Sequence, residues 1–182
     1  MERDASSAGV SEIGGLFNTA EIKILICYIL SVLGEPVPAN LLADVLHYEG
    51  IANCFEVADA IDSLCKSGQL ATDEKAENTY TITESGKSVS ETLRSSLSLV
   101  VRERACAAAL KMMTRFKNEK ETDITVTHEN GKPYVTCTAK DHGVPFMSIK
   151  LLVADDEQVQ YIRERFLNDS ELYANIINLI TK

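Results

Sequence analysis

The chain has 182 residues, of which 45% are apolar and 25% charged, a balance that fills one core or two small ones and excludes an unfolded polyelectrolyte. Its net charge of −9 is uneven: residues 1–97 hold 6 basic and 15 acidic side chains, and residues 98–182 hold 12 of each. The first half therefore repels a polyanion such as DNA unless a local basic patch outweighs it.

Residues 1–16 mix Ser, Gly and acids and are expected to form a flexible arm. The opening Met1-Glu2-Arg3-Asp4 lacks the basic stretch and apolar run of an export signal. The longest apolar run, Ile24 to Leu30, is far below the roughly 18–20 residues that span a bilayer. Five cysteines (Cys27, Cys54, Cys65, Cys106, Cys137) are an odd number without C-x-x-C spacing, a pattern of reduced thiols in a reducing compartment. These features predict a soluble cytoplasmic protein with no membrane contact.

The first helix is predicted over Thr19 to Leu33. Its apolar residues (Ile22, Ile24, Leu25, Ile26, Ile29, Leu30, Val32) occupy nearly every side, as in a helix buried on all sides. The covering is either the rest of the chain or, on one face, a second subunit. Gly34 ends the helix, and Pro36 and Pro38 keep the chain extended. A short helix follows over Asn40 to His47, then a third over Phe55 to Ser67. The third has an inward stripe of Val57, Ile61, Leu64 and Cys65, and an outward one of Glu56, Asp59, Ser63 and Lys66. Leu70-Ala71-Thr72, a polar loop over 73–78 and a return strand over Tyr80 to Gly86 complete this part.

Neither Pro nor Gly occurs from Lys87 to Asn130, so residues 87–120 are predicted to be helical. Ser95, Ser96 and Ser98 interrupt the apolar density there and fit either a bend or a break. The stripe Leu97, Val101, Ala105, Ala108 and Met112 is longer than so small a domain needs, and is expected to hold a homodimer together. After Lys120 the period changes from 3.6 to 2. Asn130-Gly131 supplies a type I′ hairpin dipeptide and Asp141-His142-Gly143 the next turn. Ile124, Val126, Val135, Cys137, Ile149 and Leu151 should then share the covered face of a three-stranded antiparallel sheet. Two helices cover it: one opens on Asp155-Asp156-Glu157 and buries Val159, Ile162 and Phe166. Ser170 caps the other, which carries Tyr173, Ile176, Ile177 and Ile180.

The predicted fold class is α+β, in four segments. Residues 1–16 form the arm and 17–86 a three-helix domain with a β-hairpin. Residues 87–120 form a helical linker and dimerisation region, and 121–182 a small α+β domain. The order helix-helix-helix-strand-loop-strand resembles the winged helix-turn-helix superfamily, whose third helix reads the major groove. More closely, three segments are similar to a bacterial family known as domain of unknown function 4364. They are Leu16-Phe-Asn-Thr-Ala-Glu-Ile-Lys-Ile-Leu-Ile26, Tyr80-Thr-Ile-Thr-Glu-Ser-Gly86 and Phe166-Leu-Asn-Asp-Ser-Glu-Leu-Tyr173. The resemblance covers roughly residues 16–180. It implies a winged-helix N-terminal domain, a small α/β C-terminal part and membership among transcriptional regulators, with no catalytic residue. Glu56 and Asp59 depart from the basic third helix of most DNA-binding relatives.

No catalytic constellation stands out. His128 and His142 lie at opposite ends of one predicted strand, too far apart to share a metal, and nothing completes a site with His47. Gly86-Lys87-Ser88 ends like a phosphate-binding loop, but the required preceding glycine is Thr81. The chain is expected to be neither an enzyme nor a cofactor or metal binder. One functional reading is a dimeric regulator that meets DNA through Asn53, Ala60, Ser63 and Lys66 on the third helix and Lys75 on the loop. The other is an acidic protein-interaction module that docks on a basic partner and leaves DNA alone.

Overall fold

The computed structural model describes residues 18–73, 76–169 and 171–181. The expected arm over 1–16, Lys75 and the Ser170 cap lie outside them. The chain is α+β and divides into two compact units, residues 1–110 and 111–182. That border falls inside the stretch assigned to the linker.

In the first unit, helix α1 (Thr19–Leu33) has the bounds its sequence predicts. The Asn18 side chain accepts the Glu21 amide at 2.9 Å, satisfying one orphan donor of the first turn. Gly34 closes the other end at φ 66, a left-handed conformation that costs glycine nothing. Leu25, Ile26, Ile29 and Leu30 are fully buried. Helices α2 (Ala39–Tyr48) and α3 (Cys54–Lys66) add Leu42, Val45, Leu46, Val57, Ile61 and Leu64 to that core, each worth roughly 1.5–3 kcal/mol when buried. Between α1 and α2 the chain forms a strand that sequence reasoning passed over: β1 (Val37–Pro38) pairs antiparallel with β3 (Thr79–Ile82), which also pairs with β2 (Leu70–Thr72).

The stretch 80–86 was expected to be one strand and is not. β3 ends at Ile82, and Thr83 is the N-cap of helix α4 (Glu84–Leu93). The Thr83 hydroxyl accepts the Gly86 amide at 3.2 Å and donates toward the Gly68 and Gln69 carbonyls at 2.7 and 3.0 Å. Its amide also donates to the Gln69 carbonyl at 3.1 Å. Thr83 thus ends the strand, starts the helix and ties both to the residue before β2. Gly86 faces the same carbonyl: a Cβ placed there would lie 2.3 Å from Gln69 O and 2.8 Å from Ile82 Cγ1. The Thr-Glu-Ser-Gly sequence therefore encodes a close crossing of helix over backbone, and Gly86 and Ser90 are the buried residues of α4.

The serine-rich stretch is a break. α4 gives way to a 3-10 turn over Arg94–Ser96, Leu97 turns extended (ψ 141), and α5 runs over Leu99–Glu121. Early in α5, Arg104 pairs with Glu49 at 2.7 Å and the Arg102 guanidinium lies 5.4 Å from the centre of the Tyr28 ring.

The second unit contains β4 (Thr122–Glu129), β5 (Lys132–Asp141) and β6 (Val144–Leu152), in the order β4-β5-β6, with helices α6 (Asp156–Asn168) and α7 (Leu172–Thr181). Both hairpins close on two residues of positive φ, Asn130-Gly131 (51°, 76°) and His142-Gly143 (49°, 79°), the conformation of type I′ turns. The predicted register holds: Ile124 pairs with Cys137 and Cys137 with Ile149, while Val126 pairs with Val135 and Val135 with Leu151. Val135, Cys137, Val153, Val159 and Phe166 form the core, with Ile162 and Tyr173 packed on it. Tyr173 sits 5.3 Å from the Phe166 ring and shares a 2.7 Å hydrogen bond with the Thr122 hydroxyl. Cover is incomplete at the rim, where Val126 and Leu151 are exposed. The opposite face is polar: Lys140 pairs with Asp123 at 2.5 Å, Lys150 with Glu129, and Thr138 with Ser148 at 3.1 Å.

Candidate interaction surface

α3 begins with a reciprocal cap. The Asn53 side-chain oxygen accepts the Phe55 and Glu56 amides at 3.0 Å each, and the Glu56 carboxylate accepts the Asn53 amide at 2.8 Å. Both side chains thus have structural work at the N-terminus, where a carboxylate is favoured by the helix dipole. Asn53, expected to contact DNA, has its oxygen occupied.

The buried side of α3 is Val57, Ala60, Ile61 and Leu64. Ala60 was expected near bases; it is fully buried and cannot reach a ligand. Cys65, assigned to the core, is only half-buried. The inward face keeps Val57, Ile61 and Leu64 but turns toward Ala60 and away from Cys65. Ser63 is half-buried as well. Lys66 is exposed but engaged, its ammonium 2.5 Å from the Asp62 carboxylate one turn earlier. The hydrogen bond and charge of Asp62 raise the Lys66 pKa above its ordinary value.

The outward side consists of Phe55, Asp59, Asp62 and Lys66, spaced four, three and four apart on one face, with Glu56 beside them. Phe55 is 80% exposed, and Tyr48, across the turn at the end of α2, is 75% exposed. Sequence reasoning missed both aromatics as surface features. The signal was available: Phe55 is out of phase with the Val57, Ile61, Leu64 stripe. This face presents three carboxylates against one ammonium, and Asp62 already neutralises that ammonium.

The stripe expected to hold a dimer is largely covered within one chain. Leu97, Val101 and Ala105 are buried, and the buried positions continue through Ala109 and Met113, leaving Ala108 and Met112 half-buried. In steps of four the buried side of a helix turns by about 40° each time, about 120° from Val101 to Met113. The sequence reading assumed a fixed face.

In the second unit, Arg115, Glu119, Thr122, Ile124, Arg163 and Leu167 line an open cleft of about 280 Å³. Its central cation is already committed. Arg115 donates to both Glu164 oxygens at 2.7 and 3.2 Å and to Glu119 at 3.0 Å. All five cysteines are free thiols, and burial pushes those of Cys27, Cys106 and Cys137 up to about 11. Among the described residues, no three His, Cys, Asp or Glu side chains are grouped to hold a metal ion, and no helix is long and apolar enough to cross a membrane.

Neither a curated protein nor a solved structure matches the chain. A family model does match, over residues 22–180, a span that takes in most of α1, the Thr83–Gly86 crossing and almost all of the second unit. The chain belongs to the family described as Domain of unknown function (DUF4364).

Proposed function

We propose that the first unit is a winged helix-turn-helix used as a protein-docking module, in which α3 offers an acidic, aromatic-tipped face to a basic partner. The order α1-β1-α2-α3-β2-β3, with β1 closing the sheet beside the hairpin, supports the winged-helix reading. The observation that carries the function is the α3 face itself. Phe55 is an exposed apolar anchor, and Glu56, Asp59 and Asp62 surround it with negative charge. Exposed aromatics are disproportionately the residues on which protein interfaces depend, and complementary charge orients the encounter. Against DNA phosphates the same carboxylates are repulsive. The partner surface is a Lys- or Arg-rich segment with an apolar recess for Phe55. The five free thiols support a reducing, cytoplasmic setting.

A transcriptional regulator that meets DNA as a homodimer is the second reading, favoured by the element order alone. A pulldown from cell extract with the intact chain, with and without nuclease, separates the two. The docking reading expects a protein that survives nuclease and is lost on Phe55→Ala and on Asp59→Arg. Material that disappears with nuclease and increases on Asp59→Arg would support the regulator.

A further inference from the structure

We propose that the partner of α3 presents an arginine, and that Phe55 and Asp59 receive it together, the carboxylate pairing with the guanidinium fork and the ring stacking on its plane. The inference rests on the docking reading above and adds the residue type that the face selects.

The three carboxylates of this face are not equivalent. Glu56 is occupied by the Asn53 amide at 2.8 Å, and Asp62 by the Lys66 ammonium at 2.5 Å. Among the described residues, Asp59 has neither a hydrogen bond nor an ion pair. Lys66 is bound to Asp62, and the charge of Asp59 acts on it only as a smaller influence. Asp59 is exposed, and it is the carboxylate left for an incoming cation.

Asp59 stands four residues after Phe55, so the two are neighbours on one helix face, with Cβ atoms about 5–6 Å apart. The position three after Phe55 is Ala58, also exposed, and its methyl leaves the flank of the ring open. A ring face and an unpaired carboxylate one turn apart suit a guanidinium better than an ammonium. The guanidinium is planar and weakly hydrated, so its edge can take both carboxylate oxygens while its flat face lies on the ring. The ammonium is a compact, strongly hydrated point charge. An arginine gains both contacts at once, whereas a lysine placed on Asp59 forgoes the ring. A cation over an exposed aromatic face adds about 2- to 5-fold in affinity.

Two acetylated, amidated hexapeptides of alternating leucine and a cation, one built with arginine and the other with lysine, test the choice at equal charge and length. Each is titrated into the intact chain up to about 5 mM peptide at about 50 mM salt, and amide shifts in the NMR spectrum give the site and the Kd. Shifts centred on residues 54–62 are expected with both, with a Kd about 3- to 10-fold lower for the arginine peptide. Phe55→Leu keeps an apolar side chain but removes the flat ring, and should bring that ratio below about 2. Asp59→Asn should raise the Kd of both peptides, and that of the arginine peptide more. Both side chains are exposed, and an otherwise unchanged amide spectrum confirms the fold of each variant. A Kd no lower for the arginine peptide, or an arginine preference that survives Phe55→Leu or Asp59→Asn, overturns the arginine assignment and leaves the docking reading intact. No shift on α3 with either peptide overturns both.

Discussion

The crossing of α4 over Gln69 makes Gly86→Ala a demanding test of the fold. Inside a helix, alanine is ordinarily better than glycine by about 0.5–1 kcal/mol, so propensity alone predicts a more stable protein. The geometry predicts the reverse. The added methyl would sit 2.3 Å from a backbone carbonyl oxygen and 2.8 Å from Ile82 Cγ1, and neither the carbonyl nor the strand can swing aside as a flexible side chain would. Overpacking of this kind costs about 1–3 kcal/mol. Displacing the Gln69 carbonyl also weakens its bond from the Thr83 amide, about 1 kcal/mol more. The net loss is about 1–3 kcal/mol, a fall in melting temperature of roughly 5–15 °C for a unit of this size. Thermal unfolding followed by circular dichroism measures it, and Ser85→Ala, exposed on the same helix, is the control. A Gly86→Ala protein as stable as the parent would refute the close crossing.

Thiol reactivity reads the burial pattern from a different direction. At pH 8 an aromatic disulfide reagent should modify Cys54 first, whereas Cys27 and Cys137, buried and with pKa about 11, should wait for unfolding; a fast phase that survives Cys54→Ser would contradict this. Acid should loosen the second unit in a defined window. The hydrogen bond from Arg115 holds the Glu164 carboxyl below its ordinary 4.5, so its contribution is complete above that pH and lost as pH falls through the lowered value. Glu164→Gln should therefore flatten the stability loss just below pH 4.5, and urea midpoints across a pH series that fall equally steeply in both proteins would remove Arg115–Glu164 from the account.

What was legible in the chain was what depends on local chemistry. Asn130-Gly131 fixes a two-residue turn because both positions take positive φ, and that turn sets the register of the whole meander. Gly34 marks the end of α1 for the same reason. The misreadings share a physical origin in long-range packing. The alternation of Tyr80-Thr-Ile-Thr seemed to continue, but Thr83 leaves the ladder to cap a helix, a decision made by the distant Gln69 carbonyl. β1 is two residues long and exists only because β3 lies beside it. Ala60 and Ala109 are buried where Cys65 and Ala108 were expected to be, because the buried side of each helix follows what covers it and small residues give weak periodic signals. The exposure of Phe55 was hidden by its type, since aromatic residues are usually assigned inward.

The central claim is that α3 carries a docking face hostile to nucleic acid. The most direct measurement is fluorescence anisotropy of a labelled random-sequence duplex titrated with the intact chain from about 50 mM salt upward, since counterion release makes low salt the most permissive condition. The account predicts no binding by the parent at any salt, and the onset of weak, steeply salt-dependent binding only after Glu56→Gln with Asp59→Asn removes two of the three carboxylates. Binding by the unmodified chain that weakens on Lys66→Ala would contradict it, placing α3 against DNA after all.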